Sequence, residues 1–221
     1  MNIFDIMGPI MVGPSSSHTA GAVRIGRVAR RLLGVCPVKA DIQLHGSFAA
    51  TGTGHGTDKA LVAGLLDLAP DDPAIPQSIR LAQAAHIEIS IRPVDLRDAH
   101  PNTAVLTLTA PDGRTLTLSA SSLGGGRIRV NAIDGLEASF SGASPTLIIR
   151  NEDRPGMVAE VSRVLSSQKA NIATMQLYRA RRGDLAVMVI ECDLPLPHDL
   201  RRAVAALDGV VQCTYLDMEG V

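Results

Sequence analysis

Between residues 146 and 216 strands, helices and turns can be read in a clear order, and that order leaves few folds open. Strands are predicted over residues 146–150, 172–179, 185–191 and 210–216, and helices over 157–167 and 198–207. Met157, Val161, Val164 and Leu165 share one face of the first helix, and Arg182-Gly183-Asp184 is a turn between the second and third strands. The order β-α-β-β-α-β is that of a ferredoxin-like split βαβ unit. Before it, Ser139-Phe140-Ser141-Gly142-Ala143-Ser144-Pro145 is a run of mostly small residues that reads as a linker. The chain is therefore expected to divide into domains at residues 1–140 and 146–221.

The first of these opens on Gly13-Pro14-Ser15-Ser16-Ser17-His18-Thr19. Hydroxyls and an imidazole in a row do not suit a core segment, because each needs a hydrogen-bond partner once it leaves water. Ile25, Val28, Ala29 and Leu32 then recur at helical spacing while Arg24, Arg27, Arg30 and Arg31 take other positions, so an amphipathic helix is expected over residues 20–33. The polar tract falls at the start of that helix, where free amides and the positive end of the macrodipole attract a carboxylate or phosphate. A helix needs one Ser or Thr as a cap, and that plain reading stands beside the functional one. His18 among the hydroxyls favours an anion site with proton chemistry. Gly21 and Gly26 are expected to permit close backbone approach.

Residues 38–44 alternate as a half-buried strand and run into His45-Gly46-Ser47. Residues 51–59, Thr-Gly-Thr-Gly-His-Gly-Thr-Asp-Lys, read as a glycine-rich loop leading to a helix over 60–66 capped near Thr57 or Asp58. Its spacing matches neither nucleotide-binding glycine motif. It is either a second wall of the first site, with His45 and His55, or a tight connection bearing surface histidines. A turn-rich connector at 70–76 and a short helix over 79–85 follow, then strands over 87–91, 104–110, 115–119 and 128–133. Pro111-Asp112-Gly113-Arg114 is a hairpin turn, and His100-Pro101-Asn102-Thr103 and Ser121-Ser122-Leu123-Gly124-Gly125-Gly126 read as loops. The fold class expected for the whole is α+β, with helices on one face of a sheet in the first domain.

A formal net charge of -1 and 2% aromatic residues without tryptophan disfavour nucleic acid as a partner. No apolar run reaches the 18 to 20 or so residues of a membrane span and nothing reads as a leader, so a cytoplasmic location is expected. Cys36, Cys192 and Cys213 are too few and too scattered for an ordinary iron-sulfur or zinc site within this chain.

The C-terminal unit, with Asn151-Glu152-Asp153-Arg154-Pro155-Gly156 before its first helix and Asn171-Ile172 opening its second strand, resembles an ACT domain. That resemblance implies effector binding by Asn151, Asp153, Arg154, Pro155, Gly156, Asn171 and Ile172, and pairing of ACT domains between chains. The N-terminal part resembles the beta chain of the bacterial iron-sulfur-dependent L-serine dehydratases. The matching stretches are Phe4-Asp5-Ile6, residues 13–19, His45-Gly46-Ser47, residues 54–59, residues 100–103 and residues 122–126. It is also similar to the allosteric substrate-binding domain of some 3-phosphoglycerate dehydrogenases. The family converts L-serine to pyruvate and ammonia at a 4Fe-4S cluster whose cysteines lie in an alpha chain, so the resemblance implies a heteromeric lyase of which this chain is the beta subunit. It implies further that Ser15, Ser16, Ser17, His18 and Thr19 form one face of the substrate site, with His45, His55 and His100 as a second wall. The alternative is a non-catalytic subunit that senses serine.

Overall fold

The computed structural model describes residues 16–179 and 181–218. Ser15, the apolar lead-in at residues 3–8, Gly13 and Pro14 lie outside the described residues. The chain divides into two compact units between Val130 and Asn131.

In the first unit the polar tract is itself helical. A π-helical turn, Ser16–Gly21, continues into α1, Ala22–Leu33, so the α-helix starts two residues later than its apolar spacing suggests. No hydroxyl caps it: its N-cap is Gly21, in αR geometry with no side-chain cap bond. Ile25, Val28, Ala29 and Leu32 are buried, as the spacing requires, and Gly34 ends the helix in αL geometry with its N–H on the Arg30 carbonyl. Strand β1, Lys39–His45, buries Ala40, Ile42 and Leu44 in alternation.

The stretch after β1 departs from expectation. Gly46–His55 is a helix, α2, and Gly56 in αL geometry separates it from α3, Thr57–Leu65. Glycines at 46, 52, 54 and 56 lower intrinsic helix propensity by up to about 1 kcal/mol each, which is why the sequence reads as a loop. Packing overrides that preference: Phe48 is fully buried and Gly52 lies 3.3 Å, at the Cβ position, from Leu44 Cδ1. Nor is α3 capped by Thr57 or Asp58, for its N-cap is Gly56 without a side-chain bond.

A 3-10 turn, Ile75–Gln77, and α4, Ser78–Ala84, lead to β2, Glu88–Val94, which runs parallel to β1. Strand β3, Thr103–Thr109, pairs antiparallel with β1 and, through the hairpin at residues 110–114, with β4, Thr115–Gly124. Gly113 takes φ 84° in that turn and the Asp112 carboxylate accepts the Arg114 N–H at 3.1 Å, as the turn residues predict. Strand β4 continues through Ser121 and Ser122, read from sequence as loop, because Ser121 pairs with Thr103. Strands β5, Arg127–Ile133, and β6, Leu136–Phe140, complete the sheet order β2-β1-β3-β4-β5-β6, and the division between units falls within β5. The run read as linker from Ser139 begins instead after Phe140.

In the second unit β7, Thr146–Glu152, α5, Met157–Ser167, β8, Ile172–Arg179, β9, Leu185–Cys192, α6, His198–Ala205, and β10, Val210–Leu216, follow in the expected order. The sheet order is β10-β7-β9-β8 and every pairing is antiparallel. Leu147, Ile149, Met188 and Ile190 meet Val161, Leu165, Leu200 and Val204 from the helices in its core. Among the described residues no helix is long and apolar enough to cross a membrane.

Helices α1 and α3 cross backbone to backbone. A Cβ at Gly26 would sit 2.2 Å from the Leu61 carbonyl oxygen, and one at Gly64 would sit 2.1 Å from that of Val23. Neither neighbour is a side chain that can swing away, so Gly64→Ala is expected to cost about 1–3 kcal/mol or more. Gly54→Ala meets nothing within 4 Å and lies in a helix, so it should gain up to about 1 kcal/mol. Urea midpoints of the two variants check this, with opposite signs expected.

Candidate functional site

The π-helical turn packs against α2, α3 and β4. Wide turns of this kind are rare and are frequently found at functional sites. Within it His18 is 7% exposed and Thr19 is buried, while Ser17 is half-buried. The His18 ring is held on both sides: Nδ1 lies 3.1 Å from Ser17 Oγ, and Nε2 lies 3.0 Å from Thr51 Oγ1 and 3.3 Å from Ser47 Oγ. The Phe48 ring stands edge-on at 5.3 Å between centroids and the exposed His55 ring at 5.0 Å.

Burial lowers the basicity of His18 below its ordinary value of 6.5; the neighbouring His55 adds to this, and a hydrogen bond with the Ser47 backbone opposes it. The ring is thus neutral near pH 7. A neutral imidazole both accepts and donates a proton, which suits acid-base chemistry.

The turn, the elements it packs on and the loop bonded to β4 carry buried polar atoms with no hydrogen-bond partner among the described residues: Thr19 Oγ1 on the turn, Thr57 Oγ1 at the start of α3, Ser122 Oγ on β4, and Asn102 Oδ1 in the loop whose Asn102 carbonyl accepts the Ser122 N–H at 2.9 Å. An unmade bond on a buried polar atom costs about 1–3 kcal/mol, so several along neighbouring elements point to a ligand or water that completes them.

The other expected residues divide. His55 joins His18, while His45 accepts the Leu96 N–H at 3.1 Å and stands 3.7 Å from Asp95, and His100 accepts the Asn102 N–H at 3.1 Å. The loop of His100 nonetheless reaches α2, where the Phe48 N–H meets the Pro101 carbonyl at 3.3 Å and Gly46, at φ 56°, lies against Pro101. Ser16 opens the π-helical turn. Sequence reasoning missed Ser47 and Thr51 as partners of His18. Their signal was the spacing Ser47, Thr51, His55, one face of a helix at i, i+4 and i+8, invisible while the segment was read as a loop.

In the second unit Asn151 lies near the end of β7, and Asp153, Arg154, Pro155 and Gly156 form the turn from it into α5. Asp153 accepts the Gly183 N–H and the Arg179 guanidinium, both at 2.9 Å, and these bonds hold its carboxyl below the usual range. Arg154 donates to the Asp208 carbonyl at 2.6 Å, pairs with its carboxylate at 2.7 Å, and lies over Gly209, where a Cβ would come within 2.7 Å of it. Asn151 is buried, donating to the Glu152 carbonyl at 2.7 Å with its Oδ1 unpaired among the described residues. Pro155 is exposed, and Gly156 caps α5 at φ 97°. Asn171 donates to the Asp193 carboxylate, and Ile172 pairs with Cys192. Glu152 pairs with Leu185 at the other end of β9, so within one chain Asn171 and Ile172 lie a strand's length, about 20 Å, from the turn.

Among the described residues no group of three or more His, Cys, Asp or Glu is placed to hold a metal ion. The chain has three cysteines, Cys36 exposed, Cys192 buried and Cys213 half-buried, one in the first unit and two in the second. They do not fit an iron-sulfur cluster.

The second unit, with its strand order and glycine-capped turn, is of the ACT class, and the ACT domain pattern matches residues 145–209. The pattern of the serine dehydratase beta chain matches residues 2–132. The chain is 41% identical over 215 residues to the probable L-serine dehydratase, beta chain, of Bacillus subtilis (strain 168), covering 97% of each. It is 35% identical over 216 residues to the L-serine dehydratase, beta chain, of Peptoniphilus asaccharolyticus, again 97% of each. With the L-serine dehydratase of Mycobacterium bovis it shares 33% identity over 158 residues, 61% of this chain and 34% of that one. The chain belongs to the serine dehydratase beta chain family and carries an ACT domain.

A histidine less basic in the folded chain than in the unfolded one makes the unfolded state the better proton binder at low pH. The contribution of His18 to stability is therefore complete above 6.5 and is lost as pH falls from there through the lowered value. Urea midpoints should drop on acidification below 6.5, and the His18→Gln variant should lose less over the same interval.

Proposed function

We propose that this chain is the beta subunit of an L-serine dehydratase, L-serine ammonia-lyase, and that the sequence stretch Ser15, Ser16, Ser17, His18 and Thr19 supplies one face of the substrate site, with His55, His45 and His100 as a second wall. The observation that carries this reading is the His18 ring, buried, neutral and held by three hydroxyls, on a turn packed against elements with buried hydroxyls that lack partners among the described residues. The relatives named for serine dehydration support it along nearly the whole chain.

Converting L-serine to pyruvate and ammonia removes an α-proton and the β-hydroxyl, and the enamine left behind becomes an imine that water hydrolyses. The first helical turn, with its amides and hydroxyl donors, suits the substrate carboxylate. A neutral imidazole within that turn suits proton transfer. A 4Fe-4S cluster belongs in this proposal to an alpha chain, since the cysteines here do not fit one. That this chain aligns with only 34% of the Mycobacterium bovis relative supports a division of labour in which the larger part lies elsewhere. The enzyme is then a cytoplasmic heteromer. Its ACT units, residues 146–221 following a domain at 1–140, pair between chains and take a small amino acid at the turn of Asn151, Asp153, Arg154, Pro155 and Gly156, with Asn171 and Ile172 contributed across the pair.

Anaerobic reconstitution of the two chains, followed by a pyruvate assay, tests the reading. Neither chain alone should turn over serine, and His18→Ala should lower turnover about 100-fold or more. Unchanged turnover in that variant removes His18 from the site.

A further inference from the structure

We propose that Thr51 is a positioning residue that sets the tautomer of His18, with the proton on Nε2 and the bare acceptor Nδ1 facing Ser17. The inference rests on the reading of the His18 turn as part of the substrate site. It comes from counting protons. The Thr51 hydroxyl donates to the Ser47 carbonyl one helical turn earlier, at 2.8 Å. A hydroxyl has a single proton, so once that proton is committed to a carbonyl the oxygen meets any other group as an acceptor. The other group is His18 Nε2 at 3.0 Å, which must then be the donor. Ser47 Oγ, 3.3 Å from the same nitrogen, offers a second acceptor. A neutral imidazole with its proton on Nε2 has a lone pair on Nδ1, and the Ser17 hydroxyl 3.1 Å away donates to it.

The consequence is directional. Thr51 and Ser47 sit on α2, whereas Ser17 and His18 sit on the turn before α1, so α2 holds the spent side of the ring and the turn carries the reactive side. Ser17 offers a route for a proton to His18: the Ser17 O–H bond breaks as Nδ1–H forms, and Ser17 regains a proton from the acid that delivered it. The imidazolium so formed keeps its Nε2–H on Thr51 and needs no rotation. Thr51→Val keeps the shape of the side chain but turns the acceptor into a methyl group, and Thr51→Ser keeps the hydroxyl.

Nitrogen-15 spectra of the imidazole rings in the full chain, at a pH well above 6.5, read the tautomer without any turnover. The unaltered chain should show Nε2 protonated and Nδ1 bare, Thr51→Val should show a substantial Nδ1–H population, and Thr51→Ser should match the unaltered chain. In the reconstituted enzyme Thr51→Val should lower kcat about tenfold or more with KM for serine changed much less, and Thr51→Ser should restore it. An unaltered chain with its proton on Nδ1 overturns the inference even if no variant folds, and so does a Thr51→Val spectrum identical to that of the unaltered chain. The substrate-site reading fails separately, through a His18→Ala enzyme with unchanged turnover.

Discussion

The contact on which the first unit depends is the crossing of α1 and α3 at Gly26 and Gly64, where the two backbones touch with no side chain between them. Arg27 and Arg31 of α1 reach Asp67, just beyond the end of α3, at 2.9 and 3.4 Å. Gly64, near the end of α3, lies against Val23 and Gly26 near the start of α1, and α3 also packs on the π-helical turn that precedes α1. That turn carries His18, and α3 is preceded by α2 with Ser47 and Thr51. The close crossing thus brings a histidine and its hydroxyl partners, 29 and 33 residues apart in sequence, within hydrogen-bond reach.

Burying an imidazole is costly unless both ring nitrogens are satisfied, and here each is. The hydroxyls that satisfy it differ in freedom. Thr51 is tied to a helix carbonyl and serves as a fixed acceptor, whereas Ser17 lies on the turn. On the same turn, on α3 and β4 packed against it, and in the loop bonded to β4, Thr19, Thr57, Ser122 and Asn102 keep buried polar atoms without partners among the described residues. A chain that fully satisfies one ring while leaving its neighbours short of bonds spends stability on a site rather than on its core.

Much of this was legible beforehand. The ACT unit could be read almost residue by residue, because its central strands are short, nearly continuous apolar runs bounded by turn residues, its helix over 157–167 has one apolar face, and its turns carry glycine where positive φ is needed. The amphipathic pattern of α1 and the hairpin at residues 111–114 were equally plain. Helix α2 was not, since its local preference opposes its structure and tertiary packing, with Phe48 fully buried, overrides it. The prolongation of β4 through Ser121 and Ser122 escaped notice for a like reason: small polar residues look like a loop until Thr103 is found hydrogen-bonded across the ladder at 2.8 Å.

The sequence by itself therefore determined the family likeness, the order of elements in the second unit and the presence of a hydroxyl-and-imidazole tract at a helix start, since each rests on local periodicity or on contiguous residues. Which histidine is buried, which hydroxyls hold it and on which nitrogen its proton sits were decided by tertiary structure alone. Those properties depend on two helices meeting without side chains between them, and no window of neighbouring residues contains that contact.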